Sequence, residues 1–414
     1  MKRTKLVMIG NGMAGARTLE ELIKLAPGCH DITVFGAEPH PNYNRIMLSP
    51  VLAGEQTLDE IILNPVGWYA EHGITLHLGS RVVSIDRERR VVTAADGTQA
   101  AYDQLLMATG STPFVLPVPG KELQGVIAYR DIADTECMIE AARQHRHAVV
   151  IGGGLLGLEA ANGLASRGMR VTVVHIAPWL MERQLDETAA RLLQTSLEER
   201  GLQFRIGAQT QELVGNAQGR VCAVRFKDGT EVPADLVVMA AGIRPNTELA
   251  KACGLPCDHD GRGGITVTDA MQVAGCEDIW AVGECASHRG TAYGLVAPLY
   301  EQAQVLAQQL AGPSDAAYEG SQVSTKLKVT GISLFSAGQF MGGEGTESIV
   351  LRDPMNGTYK KLVLQGRQLV GACLYGDTAD GPWYFDLIRE GRDVSAMRDW
   401  LMFGQDMQAQ AKAA

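Results

Sequence analysis

Two Gly-x-Gly-x-x-Gly fingerprints, roughly 140 residues apart and each running from a short apolar strand-like segment into a helical one, predict an α/β protein with two Rossmann-like dinucleotide-binding domains. From residue 319 onward, strand-like runs followed by a helical end predict a small C-terminal α/β domain. A chain of 414 residues is too long for one hydrophobic core, which agrees with two or three domains.

The first fingerprint follows the apolar run Leu6 to Ile9. Gly10 makes the tight turn, Gly12 lets backbone N–H groups approach a pyrophosphate, and Gly15 lets the following helix pack close to the strand. Met13 and Ala14 open that helix, which runs through Leu25, and its positive end faces the phosphates. A second strand, Asp31 to Phe35, leads to Glu38, placed to accept hydrogen bonds from an adenosine ribose.

The second copy, Ala148 to Glu159, places Gly152, Gly154 and Gly157 at the same spacing, with Leu155 and Leu156 opening a helix to about Arg167. The strand Met169 to Val174 then leads to His175. A dehydrogenase with one cofactor needs one such site, so two imply two dinucleotides, and FAD with NAD(P)H is the natural pair.

Two strand-ending stretches form the chain's internal repeat: Tyr102 to Gly110, ending in Ala-Thr109-Gly110, and Ala234 to Gly242, ending in Ala-Ala-Gly242. Each lies about 90 residues after its fingerprint and reads as the strand that closes that unit. Asp278 to Cys285 contains a third strand and a turn carrying Gly283 and Glu284. Tyr293 to Pro298 opens a helix to about Leu310, whose N-terminus can aim its dipole at a flavin edge. The order of these pieces predicts an FAD domain made of residues 1–115 and 245–318, an inserted NAD(P)H domain at 116–244, and a C-terminal domain at 319–414 with a helical end from Trp383 to Phe403. That last domain is expected to cover the flavin or to make a homodimer contact.

Composition narrows the partners. A net charge of −10 argues against nucleic acid and anionic membranes, and favours a partner with a basic docking face. Glycines together with Glu159 and Asn162 interrupt the longest apolar run, Val149 to Ala165, so no transmembrane helix is expected. The apolar stretch Leu6 to Ile9 is too short for a signal-peptide core, so the protein is expected in the cytoplasm. The 8 cysteines are scattered, without metal-ligand spacing, and are expected as reduced thiols.

Together these motifs resemble the glutathione-reductase-like flavoprotein superfamily over essentially the whole chain. The resemblance narrows at Tyr43 to Ser49, Gly152 to Glu159, Met181 to Asp186, Gly294 to Pro298 and Ser324 to Val329. These stretches resemble the N-terminal flavoprotein portion of the large subunit of assimilatory NAD(P)H nitrite reductase, and the related electron-transfer subunits of assimilatory nitrate reductase. The resemblance implies that Glu284 stands where the superfamily has an acid for the ribityl chain, and that Arg45 contacts the FAD pyrophosphate or the flavin edge. It also brings Val83 into the FAD site and makes Lys326 a candidate cation facing the flavin.

The stretch from Asn42 to Gly54 departs from the disulfide reductases, because it holds no cysteine, and dithiol chemistry is excluded there. Oxygenase-type ferredoxin reductases often place a lysine opposite the glutamate of the second fingerprint. Here that place is Pro50, so Glu159 is expected to lack this partner near the nicotinamide. Nitrite reductase large subunits continue into iron–sulfur and sirohaem modules whose cysteine clusters are not found up to Ala414, so six-electron chemistry is not expected of this chain alone.

The expected function is therefore hydride transfer from a nicotinamide to a flavin, then electron delivery to a partner bearing an iron–sulfur, sirohaem or molybdenum centre. A rubredoxin or ferredoxin reductase is the first alternative. A flavin-bound interaction protein similar to apoptosis-inducing factor is the second, and its flavin would react slowly with NADH. Coenzyme choice gives a mixed signal. His175 stands where NAD-preferring enzymes carry an acid, and a protonated His175 with Arg183 would attract a 2′-phosphate, whereas Glu182 and Asp186 lie close by in sequence. NADH is expected to be preferred, with NADPH use rising as pH falls through ~6.5.

Overall fold

The computed structural model describes residues 3–258, 263–327 and 329–405. The chain divides into two compact units. Met1–Leu48, Thr57–Pro113 and Ile243–Ser321 form the first, and Ser49–Gln56, Phe114–Gly242 and Gln322–Ala414 form the second.

The first unit is built on a five-stranded parallel sheet in the order Ile279–Ala281, Gln104–Met107, Thr4–Ile9, His30–Phe35, Thr75–His77. Leu6, Val7, Met8 and Ile9 are all buried, because a parallel strand in the middle of such a sheet is covered on both faces. The helix Met13–Leu25 buries Ala14, Leu19 and Leu22 in the same core and packs against the helix Val296–Ala311. A three-stranded antiparallel sheet of Val82–Asp86, Val91–Ala94 and Gln99–Ala101 completes the unit's larger elements.

The second unit repeats this plan. Its parallel sheet runs Val126–Ala128, Leu236–Met239, His147–Ile151, Arg170–His175, Gln203–Ile206. The helix Leu155–Ser166 follows the central strand and buries Leu158, Ala160, Ala161 and Leu164. In both sheets the chain leaves the central strand to one side and later returns on the other. Each therefore has a topological switch point at the carboxyl end of its central strand, where open α/β sheets bind ligands.

Residues after Gln322 add a five-stranded antiparallel sheet in the order Ser324–Thr325, Leu334–Gly338, Gln368–Tyr375, Thr358–Gln365, Thr346–Asp353, with the helix Gly381–Glu390 packed on it. One polar knot ties this sheet to the nucleotide-binding part of the same unit. Buried Asp186 caps the helix Glu187–Glu199 by accepting the Ala189 N–H at 3.0 Å, and its other oxygen accepts the Tyr359 hydroxyl at 2.6 Å, with Lys361 Nζ at 3.4 Å. Burial, reinforced by that hydrogen bond, raises the Tyr359 phenol far above its usual range.

The helical end predicted from Trp383 to Phe403 is instead one helix to Glu390 followed by two short 3₁₀ turns, Ser395–Met397 and Leu401–Phe403. Gly391, in the left-handed conformation, terminates the helix by donating its N–H to Ile388. Among the described residues, no helix is long and apolar enough to cross a membrane.

Candidate dinucleotide-binding sites

Both fingerprints fold into the same backbone device at a switch point. Gly10 donates its N–H to Phe35 O at 2.8 Å, and Ala108 donates to Ile9 O at 2.8 Å; in the second unit Gly152 donates to Val174 O at 2.9 Å and Ala240 to Ile151 O at 2.9 Å. A Cβ on Gly10 would lie 2.1 Å from Ala108 O, and one on Gly152 would lie 2.2 Å from Ala240 O. Only glycine permits these crossings, since both residues also have positive φ, +103° and +130°. Gly15 and Gly157 are equally crowded, against Met8 and against the Gly152 carbonyl.

Gly12 and Gly154 behave in the opposite way. Their backbones are extended, and a Cβ on either would meet no protein atom within 4 Å. Each caps a helix, beginning at Met13 or at Leu155, that has no side-chain cap and no acid in its first turn. The leading N–H groups thus remain directed at the open space beside a glycine without a side chain, which fits a bound pyrophosphate. In the first unit Asn11 adds a donor: its Oδ1 accepts the Tyr69 hydroxyl at 2.8 Å, while Nδ2 is buried with no hydrogen-bond partner.

Around the first loop the structure gathers most of the predicted FAD residues at the carboxyl ends of four strands. Glu38 accepts hydrogen bonds from Tyr43 OH at 2.7 Å and from Arg45 Nη2 at 2.5 Å, and the Arg45 guanidinium lies over the Tyr43 ring, 4.9 Å from its centre. Burial pushes the Glu38 carboxyl up, but the charge and hydrogen bond of Arg45 and the Tyr43 hydroxyl outweigh it, and the net shift is downward. Burial pulls Arg45 down, and Tyr43, Glu38 and Glu284 together raise it above its ordinary value. Glu284 accepts the Ser111 hydroxyl at 2.7 Å, and Gly283 lies so near the first helix that a Cβ would come within 2.9 Å of Ala14 Cβ. Thr109 is tied by its hydroxyl to Asn246 O at 3.0 Å, and Asn246 donates back to Thr109 O and to Gly110 O. Pro298 is buried in the first turn of the helix Val296–Ala311, where its missing N–H is not needed. Val83 belongs to the antiparallel strand Val82–Asp86 and is exposed.

In the second unit, Gly152, Gly154, Leu155, Leu156, Gly157 and Gly242 surround the corresponding switch point, with Gly242 open to space at φ +116°. Glu159, buried in the helix Leu155–Ser166, accepts the Ser49 hydroxyl at 2.7 Å, and Tyr129 OH lies 3.4 Å from Ser49 Oγ. The place where ferredoxin reductases often carry a lysine is Pro50 here, and the hydroxyl that Glu159 accepts comes from the residue before it, Ser49. Burial holds the Tyr129 phenol well above its ordinary range.

His175 stands at the end of the strand Arg170–His175. Its Nδ1 accepts the Gly153 N–H at 3.1 Å, so the ring proton sits on Nε2, which faces Glu182 Oε2 at 3.0 Å. Both nitrogens are engaged within the protein. Lys326 is exposed beside the strand Ser324–Thr325 of the second unit. Asn11, Ser111 and Tyr129 are not singled out by the sequence reading, and Tyr43 and Ser49 enter it only as the ends of one resembling stretch; the partners of Asn11, Ser49, Ser111 and Tyr129 lie 58 to 173 positions away, so periodicity carried no signal for those contacts.

All 8 cysteines are free, and among the described residues no group of His, Cys, Asp and Glu could hold a metal ion. Burial raises the thiols of Cys253 and Cys257, the one closely spaced pair.

Comparison with known proteins agrees with this geometry. Residues 4–309 match the pyridine nucleotide-disulphide oxidoreductase family, and residues 324–392 match the rubredoxin NAD+ reductase C-terminal domain. The chain is 53% identical to nitrite reductase [NAD(P)H] of Bacillus subtilis over 95% of its own length and 48% of the relative's. It is 47% identical to the assimilatory nitrate reductase electron transfer subunit of the same organism, over 95% of its length and 50% of the relative's. It spans about half the length of these curated relatives. Among solved structures, the putidaredoxin reductase–putidaredoxin complex superimposes with a TM-score of 0.84 at 28% identity, covering 95% of this chain and 94% of that one. FAD and NAD(P)H are the cofactors this set of relatives implies, and they fit the two glycine loops. A family match over most of the chain, two fingerprints at matching switch points and a superposition that includes the last domain establish that this chain belongs to the pyridine nucleotide-disulphide oxidoreductase family.

Proposed function

We propose that this chain takes electrons from NADH or NADPH through FAD and hands them to a partner protein or subunit bearing an iron–sulfur, sirohaem or molybdenum centre, in cytoplasmic assimilation of nitrite or nitrate. The observation that carries the proposal is the pair of open glycine loops in a chain with no cysteine from Asn42 to Gly54. The similarity to nitrite reductase and to the nitrate reductase electron transfer subunit supports the choice of acceptor.

Bound FAD supplies a group that accepts hydride and releases electrons singly. The chain's share is orientation and electrostatics. In this reading Gly10, Gly12, Met13, Ala14, Gly15, Glu38, Arg45, Val83, Thr109, Gly110, Gly283, Glu284 and Pro298 hold FAD within residues 1–115 and 245–318. Gly152, Gly154, Leu155, Leu156, Gly157, Glu159, His175 and Gly242 hold the nicotinamide coenzyme within 116–244. The C-terminal domain, 319–414, carries Lys326 and is the natural place for a homodimer contact, which light scattering of the purified protein tests. Hydride transfer needs alignment more than an acid or base, so buried, hydrogen-bonded Glu159 serves as an orienting group.

A rubredoxin- or ferredoxin-type acceptor is the second reading, favoured by the match of residues 324–392. Steady-state oxidation of NADH tests both. Ferricyanide and iron–sulfur proteins should be reduced quickly, oxygen slowly, and glutathione disulfide or lipoamide not at all. Efficient disulfide reduction would refute the proposal, and a rubredoxin outpacing a sirohaem partner would favour the second reading.

A further inference from the structure

The strand Arg170–His175 ends where this fold places an adenosine ribose, yet the residue there is histidine rather than an acid. The structure brings a carboxylate to it from elsewhere in the chain. Glu182 Oε2 lies 3.0 Å from His175 Nε2, and Glu182 keeps a third of its side chain exposed while the histidine is buried.

Contacts on both sides fix this arrangement. The His175 ring packs against Gly153 so closely that a Cβ there would come within 2.7 Å of His175 Cγ, and the Gly153 N–H holds Nδ1 at 3.1 Å. The loop that carries Glu182 is pinned to the same glycine, because Met181 donates its N–H to Gly153 O at 2.9 Å. Leu180, Met181 and Leu185 are fully buried, and Trp179 Nε1 donates to Leu185 O at 3.1 Å. Met181 has φ +52°, a left-handed conformation that a non-glycine residue holds only where its surroundings demand it. The only lysine or arginine paired with Glu182 among the described residues is Arg183, whose Nε stands 3.9 Å away on a side chain 69% exposed.

We propose that Glu182, held in place by His175, is the carboxylate that selects NADH over NADPH in this chain. The inference rests on reading the second fingerprint as the nicotinamide coenzyme site. Its carboxylate accepts ribose hydroxyls and repels a 2′-phosphate, the task that an acid at the strand end performs elsewhere. His175 is a positioning residue. Its Nε2–H fixes the carboxylate, and its Nδ1 ties that pair to the glycine loop.

Binding of adenosine fragments to the full-length, FAD-loaded protein isolates the charge from turnover. Calorimetry with 5′-AMP and 2′,5′-ADP, and with NAD+ and NADP+, gives the discrimination ratio directly. Wild type should bind the unphosphorylated member of each pair more tightly. Glu182→Gln keeps an acceptor for the His175 N–H and removes the charge, so the ratio should fall by on the order of tenfold or more, mainly through tighter 2′-phosphate binding. His175→Ala should lower the ratio when Glu182 is present and change nothing further in the Glu182→Gln background. An unchanged ratio in Glu182→Gln overturns the proposal. Wild type that binds none of the four compounds overturns the underlying assignment of the site.

Discussion

Gly12→Val should separate cofactor binding from folding. Gly12 has φ −83° and ψ 179°, an extended conformation that valine readily adopts, and a Cβ there meets no protein atom within 4 Å. The unfolding free energy of the apoprotein should therefore change by no more than about 0.5 kcal/mol, an apparent Tm change of at most about 2 °C. The branched side chain would occupy the space through which the phosphates reach the helix N–H groups. Losing two charge-assisted hydrogen bonds at about 1.5–3 kcal/mol each weakens FAD by roughly 10²- to 10⁴-fold. The contrasting variant is Gly10→Ala. Its Cβ would sit 2.1 Å from Ala108 O at φ +103°, so it should destabilise the fold by about 2–6 kcal/mol. Gly154→Val completes the set: flavin should be retained and its reduction by NADH abolished. Flavin absorbance per protein, apoprotein melting and stopped-flow reduction read these outcomes. A Gly12→Val protein that holds stoichiometric FAD, or whose apoprotein melts far below wild type, would refute the reasoning.

Glu38 has a lowered carboxyl pKa, so the stability it contributes is fully present above the unfolded value, ~4.3, and is lost as pH falls through the lower folded value. The gap in urea midpoint between wild type and Glu38→Gln should accordingly close on acidification from about pH 6 to about pH 3, and a gap independent of pH would contradict this. Ser49→Ala removes a donor from buried Glu159 and should cost about 1–3 kcal/mol in chemical denaturation, with Ser49→Thr recovering part of it. Asp186→Ala strips a helix cap, a tyrosine partner and a lysine partner at once, and should cost at least about 3 kcal/mol; a loss under about 1 kcal/mol would mean the knot is dispensable.

The sequence by itself determined the repeated plan of this protein. Glycine is demanded at Gly10, Gly15, Gly152 and Gly157 by crossings a few residues apart or between a strand end and its neighbour, and the buried strands read as continuous apolar runs. Such local requirements leave a periodic trace, which is why the helices Met13–Leu25 and Leu155–Ser166 were legible. The absence of cysteine between Asn42 and Gly54 was equally plain.

Only the tertiary structure decided which polar groups meet. Ser49 reaches Glu159 across 110 positions and Tyr359 reaches Asp186 across 173, and no spacing rule links residues so far apart. His175 marks the limit most clearly. Its place at a strand end was readable, but its hydrogen-bond partners, Gly153 on one side and Glu182 on the other, were not. A histidine's chemistry is set by what each ring nitrogen faces, and those neighbours exist only once the chain has folded.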